Sequence, residues 1–157
     1  MSNNLSWAIW HVTNLCNIEC NYCFTNSSPF SEKTLEENQL IKIADKIKNS
    51  EARLVTLIGG EPLVVKSLPS ITEYLLEKDK LKVNLDTNGI LLNKRWSDVY
   101  VRLNRVNVSF DDIDGEIHNY QRDGYSSVIG AISLLQKRGV LLLKAFSSLC
   151  FLSFVSC

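Results

Sequence analysis

The sequence predicts an α/β fold on a parallel sheet, an incomplete (β/α) barrel of about five units. Three observations carry that expectation. Short runs of β-branched and aromatic residues alternate with segments of helical spacing, the runs are apolar, and the unusual residues stand directly after them. Parallel strands need long crossovers, which are helices in most folds, and so produce this alternation. A closed eight-unit barrel takes about 250 residues, roughly 30 per unit, so 157 residues hold about five units. A doubly wound sheet is the alternative that alternation alone leaves open.

Each element can be justified in turn. Trp7 to Val12 is the first strand and runs into a cysteine-rich loop. Thr34 opens a helix, with Glu37 three residues on as a capping box and Leu40, Ile43, Ala44 and Ile47 as its apolar stripe. Leu54 to Ile58 is a second strand ending in Gly59-Gly60. Pro69 suits the first turn of the next helix, whose stripe is Ile71, Tyr74 and Leu75. Lys82 to Leu85 is a third strand, closed by a turn at Asp86-Thr87-Asn88-Gly89. Trp96, Val99, Tyr100 and Leu103 mark a third helix, and Val106 to Phe110 a fourth strand. Val128, Ala131, Ile132 and Leu135 repeat the helical spacing, and Gly139 stops that helix before a fifth strand from Val140 to Phe146. The cysteine loop, GGEP, DTNG and Ser109 to Asp112 therefore all fall at carboxyl ends of parallel strands. Such folds place their sites on that edge.

Composition narrows the partners. Seventeen Lys and Arg balance seventeen Asp and Glu, which argues against nucleic acid or an anionic membrane as a partner. The N-terminus lacks a basic stretch followed by an apolar one, so no signal peptide is expected. The apolar stretch VLLLKAFSSLCFLSFVSC is interrupted by Lys144 and diluted by four serines, unlike a spanning helix. A soluble, cytoplasmic protein is the expectation.

Three of the five cysteines, Cys16, Cys20 and Cys23, share one loop with the spacing C-x3-C-x2-C. An odd count without an export signal argues against a disulfide framework. Three such thiolates can hold three corners of a cubane iron–sulfur cluster and leave one iron for an outside ligand. Zinc is a second reading, with His11 or His118 as a fourth ligand, and three unliganded thiols a third. Cys150 and Cys157 read as small buried hydrophobes.

Tyr22 before Cys23 and Gly59-Gly60-Glu61-Pro62 after strand two extend the pattern. Together they resemble the radical S-adenosylmethionine (SAM) enzymes, from about Leu5 to Gly139. The run from His11 to Cys20 is similar to H-x-T-x-x-C-N-x-x-C of members that modify peptides or build cofactors. The resemblance implies a [4Fe–4S] cluster on Cys16, Cys20 and Cys23, with SAM chelated at the open iron. It also implies an electron donor, reductive cleavage of SAM to a 5′-deoxyadenosyl radical, and hydrogen abstraction from a peptide or cofactor-precursor substrate.

Other residues gain expected roles from the same resemblance. Gly59 and Gly60 let main chain approach SAM, and Glu61 accepts from its ammonium. Tyr22 packs on the adenine, and Ser109 contacts SAM from strand four. Thr87, Asn88 and Gly89 match a turn that can contact substrate or cofactor. Glu116, His118 and Arg122 match an E-x-H-x-x-x-R stretch, with His118 either touching substrate or solvated in a loop. His11 supports the cysteine loop. After Gly139 the pattern departs from the family, so one domain is expected over 1–157, truncated or atypical past about 139. Two competing functions are a cluster- or SAM-binding fragment without turnover and a small zinc-binding module.

Overall fold

Alternation along the strands decides which face the helices cover. A computed structural model describes residues 6–31, 34–93 and 97–145. It contains strands β1 (Trp7–His11), β2 (Leu54–Ile58), β3 (Lys82–Thr87), β4 (Arg105–Ser109) and β5 (Leu142–Ala145). All neighbours pair in parallel, in the order β1-β2-β3-β4-β5. The order never reverses, which excludes the doubly wound sheet and leaves the barrel-type winding. Among the described residues β1 and β5 do not pair with each other, so the barrel is not closed.

One face of the sheet is aliphatic. Val55, Leu57, Val83, Leu85, Val106 and Val108 are all nearly or fully buried and form one cluster with the helices. Burying each such side chain contributes about 1.5–3 kcal/mol. The covering helices are α1 (Glu37–Asn49), α2 (Leu68–Leu76), α3 (Ser97–Tyr100) and α5 (Tyr125–Lys137). They contribute Leu40 and Ala44, Leu68, Ile71 and Leu75, Tyr100, and Val128, Ala131, Ile132 and Leu135. The opposite face is polar, with Thr56, Asn84, Asp86 and Asn107 at the intervening positions. Most of these groups are paired: Trp7 Nε1 donates to Thr56 Oγ1 (3.0 Å), Asn104 Nδ2 to Asn84 Oδ1 (2.7 Å) and Asn107 Nδ2 to Asp86 Oδ1 (2.6 Å), while Asn107 Oδ1 is buried without a partner among the described residues.

Several boundaries differ from expectation. Helix α1 starts at Glu37, not Thr34, and its capping contact runs from the Glu36 N–H to Gln39 Oε1 (3.0 Å). Thr34 instead meets Thr13 hydroxyl to hydroxyl at 2.8 Å, so a tertiary contact takes the side chain that would have capped the helix. Strand β3 runs on through Asp86 and Thr87, because both continue the ladder with β4. A short helix α4 (Gly115–Gln121), capped by Asp114 on the Glu116 N–H, was not foreseen. Gly139 ends α5 at φ +66°, where a Cβ is disfavoured. The sheet continues beyond it, since β5 pairs with β4 from Val106↔Leu142 to Ser109↔Ala145. Trp96, Phe146, Cys150 and Cys157 lie outside the described residues. No helix among the described residues is long and apolar enough to cross a membrane.

Candidate functional site

The cysteine loop is held in place by β2 continuing its hydrogen bonding past the strand end. Val12 N–H donates to Ile58 O (2.8 Å), Gly60 N–H to Thr13 O (2.7 Å) and Glu61 N–H to Leu15 O (2.9 Å). The glycines permit this approach. A Cβ at Gly60 would stand 2.4 Å from Leu15 O, and one at Gly59 would stand 2.7 Å from Thr13 O. Their conformational role is therefore to admit the cysteine-loop backbone, while both also border the cavity above it. On its other side the loop is tied to α4, through Asn21 N–H to Gln121 O (3.1 Å) and Asn21 Nδ2 to Tyr120 O (2.6 Å).

Cys16, Cys20 and Cys23 are free thiols that line one cavity of about 270 Å³. Its walls also include Tyr22, Gly59, Gly60, Thr87, Asn88, Ser109 and Arg122. Three of the four expected strand ends thus supply cavity groups directly, and the cysteine loop supplies the fourth. The thiols differ in chemistry. Burial pushes Cys20 up to about 11, although the Arg122 charge opposes it. Burial also raises Cys16. Burial acts on Cys23 in the same sense, but hydrogen bonds from Thr25 and Ser27 outweigh it and hold this thiol below the ordinary value.

Tyr22 and Arg122 form the wall towards β4. Tyr22 OH donates to Asp111 Oδ1 (2.6 Å), and Arg122 Nε donates to Asp111 Oδ2 (2.8 Å) and to Tyr22 OH (3.0 Å). The Arg122–Asp111 pair is almost wholly buried, with side chains 10% and 4% exposed. Breaking such a pair by removing one partner leaves an uncompensated buried charge. Arg122 follows α4 directly, so the E-x-H-x-x-x-R stretch delivers its last residue to the cavity. It does not deliver the other two. Glu116 is exposed, and His118 is neither a substrate contact nor a solvated histidine. His118 is fully buried against Phe110 and Tyr125, which also stack on each other, with Nδ1 accepting from the Asp111 N–H at 3.3 Å. His11 is exposed and lies outside the cavity wall.

The Glu61 carboxylate is engaged by the protein itself. It is fully buried and lies behind the cavity wall. Its Oε1 accepts from Leu63 N–H (3.0 Å) and Thr87 Oγ1 (2.7 Å), and its Oε2 accepts from Asn88 N–H (2.7 Å). Burial raises its pKa, against the pull of these donors. Asn88 carries the connection forward, donating Nδ2 to Asn17 Oδ1 (2.8 Å) and facing Cys16 Sγ at 3.9 Å. The carboxylate is thus a clamp between the ends of β2 and β3, and the clamp reaches the cysteine loop. Thr25 and Ser27, which touch Cys23 Sγ, were missed in the sequence, where T-x-S after a cysteine carries no signal of its own.

The donor set fits a cubane cluster, which takes one sulfur per iron. Among the described residues no three His, Cys, Asp or Glu side chains stand close enough to share one metal ion. His118 is packed away from the cavity, so the zinc reading loses one of its two proposed fourth ligands.

Comparison with known proteins agrees with this geometry. The Radical SAM superfamily model matches residues 10–147. A "Probable GTP 3',8-cyclase" of Archaeoglobus fulgidus is 34% identical over 114 residues, which are 72% of this chain and 38% of that protein. The antilisterial bacteriocin subtilosin biosynthesis protein AlbA of Bacillus subtilis is 28% identical over 146 residues, 89% of this chain and 32% of that protein. The structure of anSMEcpe with bound AdoMet superposes with a TM-score of 0.74 at 25% identity, covering 89% of this chain and 42% of that one. Streptococcus suis SuiB bound to its precursor peptide SuiA shares the fold, with a TM-score of 0.78 at 15% identity over 90% of this chain and 33% of that one. The chain thus spans about a third to two-fifths of the length of these relatives. By the extent of the family match, the chain belongs to the radical SAM superfamily.

Proposed function

We propose that the chain is a radical SAM core that holds a [4Fe–4S] cluster on Cys16, Cys20 and Cys23 and binds SAM in the adjoining cavity. When bound, the reduced cluster supplies the electron that cleaves SAM to methionine and a 5′-deoxyadenosyl radical, which takes a hydrogen atom from substrate. The chain's own residues bind and orient. Gly59 and Gly60 present main chain, Ser109 offers a hydroxyl for the carboxylate or ribose, and the Tyr22 ring offers a face for the adenine. Glu61 holds the walls from behind, and Arg122 and Asp111 fix Tyr22. The observation that carries the reading is the convergence of three free thiols and the Gly59-Gly60 main chain on one cavity.

The substrate class is a peptide or a cofactor precursor. SuiB and anSMEcpe have been seen with peptides bound, and the cyclase relatives act on GTP by name. An external electron donor is required, and free thiols suit a reducing compartment such as the cytoplasm. A single domain over 1–157 is proposed, with the residues past about 139 diverging from the family pattern.

Anaerobic reconstitution with iron and sulfide tests the proposal. Wild-type protein should turn brown and cleave SAM on reduction. Cys16→Ala, Cys20→Ala and Cys23→Ala should each lose the iron, and Cys150→Ala should keep it. Equal iron loss from Cys150→Ala would overturn the ligand assignment. A brown protein that cannot cleave SAM would leave a binding fragment without turnover.

A further inference from the structure

The three sulfurs are not equivalent in their hydrogen bonding. Cys23 Sγ receives the Ser27 N–H at 3.3 Å and stands 3.3 Å from Thr25 Oγ1. Thr25 Oγ1 in turn lies 2.9 Å from Ser27 Oγ. Cys16 Sγ has Asn88 Nδ2 at 3.9 Å and the backbone N–H groups of Asn17 and Ile18 as donors but no hydroxyl, and among the described residues no donor reaches Cys20 Sγ. The local backbone explains the difference. Asn26 N–H bonds to Cys23 O at 3.2 Å, and Asn26 takes a left-handed φ of 51°. This tight turn brings Ser27 N–H back onto the sulfur four residues earlier. A bare thiolate has no proton to give, so the direction of the chain is fixed: Ser27 OH donates to Thr25, and Thr25 OH donates to Cys23 Sγ. Ser27 is only 3% exposed, so the outer end of this relay is buried, while Thr25 and Cys23 are half-buried and border the cavity.

We propose that Thr25, backed by Ser27, is a positioning residue that sets the reduction potential of the cluster through Cys23. The inference rests on the reading of Cys23 as a cluster ligand. Reducing the cluster adds one negative charge, spread partly over its cysteine sulfurs. Donors aimed at a sulfur stabilise that added charge and raise the potential. Chained hydroxyls polarise one another, so Ser27 strengthens the donor that Thr25 presents. The effect falls on the corner held by Cys23, since Cys20 has no such donor among the described residues.

The experiment is a redox titration of the reconstituted 157-residue chain, followed by electron paramagnetic resonance of the reduced cluster. Thr25→Val removes the hydroxyl at nearly constant volume, and its midpoint should shift to a more negative potential. A tenfold change in the one-electron equilibrium is 59 mV, and a shift of about that order is expected. Thr25→Ser should restore the wild-type value, and Ser27→Ala should shift it in the same direction by less. An unchanged midpoint in Thr25→Val with a full complement of iron overturns the inference and leaves the cluster assignment standing. If Thr25→Val fails to hold iron, Ser27→Ala decides, and an unchanged midpoint there overturns the inference equally. A colourless wild-type protein overturns the cluster reading itself, and the inference with it.

Discussion

Two stretches of chain meet at the carboxyl edge of the sheet, and they are built in opposite ways. Around Glu61 the polar groups are buried and used: one carboxylate serves Leu63, Thr87 and Asn88, and none of its surface is exposed. Around Cys16 to Cys23 the sulfurs face a cavity and are free, and Phe24 between them and Thr25 is 93% exposed. The difference separates support from chemistry. The residue that looks most chemical in GGEP is a strut, and the groups able to take a ligand sit on the loop that the strut braces. A precise ligand set needs such backing, because loop residues hold their geometry only through their supporting contacts.

The strongest way to break this contrast is to remove the strut. Glu61→Ala would leave the Leu63 and Asn88 N–H groups and the Thr87 hydroxyl without their acceptor. At about 1–3 kcal/mol per orphaned buried donor, the three together should cost roughly 3–9 kcal/mol. Glu61→Gln keeps the volume and one acceptor oxygen and should lose clearly less. Chemical denaturation of the apo chain measures both. Wild-type stability in Glu61→Ala, combined with weaker SAM binding after reconstitution, would return the carboxylate to the cavity as a direct contact.

A smaller effect is expected at the seam between the two stretches. A Cβ on Gly60 would stand 2.4 Å from Leu15 O and 2.8 Å from Asn14 O, both backbone atoms that cannot swing aside. Gly60→Ala should therefore displace the cysteine loop at a cost of about 1–3 kcal/mol, the usual range for overpacking. Hydrogen exchange should rise at Glu61 and Cys16 more than in β3. A protection pattern identical to wild type would show that the loop is not braced by this contact. Because the strain falls on the cysteine loop, the variant is expected to lose iron as well as SAM, so it does not separate the two.

Much of this was legible beforehand, and the rest was not for physical reasons. Strand β2 matches its expected ends, Leu54 to Ile58, because its aliphatic and β-branched residues run without a charge or glycine between Arg53 and Gly59. Strand β3 runs two residues further than expected, because polar residues on the open face look like a strand end. Lys-Val-Asn-Leu-Asp-Thr reads as apolar core followed by a turn, yet Asn84 and Asp86 belong to the polar face of the sheet. The loss of Thr34 as a cap has the same origin, since its partner Thr13 lies twenty-one residues away. The cysteines and GGE were legible by residue type and spacing. That the cysteines face the cavity while Glu61 stands behind its wall was not, because only the fold decides which side of the wall each side chain takes. The pairing of Arg122 with Asp111 and Tyr22 joins positions up to a hundred residues apart, and only the fold brings them together.

The smallest expected effect leaves stability untouched and tests the loop alone. The three thiols should differ in reactivity in the metal-free, reduced chain, because the thiolate is the nucleophile. Cys23 is held below the ordinary thiol value of 9.0 by its donors, while Cys20 is raised to about 11 by burial and Cys16 is raised and buried. At a pH just under 9, the ionised fraction is therefore largest at Cys23. Limiting iodoacetamide should label Cys23 first, as read by peptide mass spectrometry. Lowering the pH through the Cys23 value removes that thiolate and should erase the preference. Raising it towards 11 ionises Cys20 and should narrow the gap from the other side. Thr25→Val removes one of the donors that depress Cys23, so its lead over Cys20 should shrink while the folding midpoint stays near wild type. Equal labelling of Cys20 and Cys23 across this range would mean that burial, not hydrogen bonding, governs both sulfurs, and that the loop is more uniform than its two stretches of polar contacts imply.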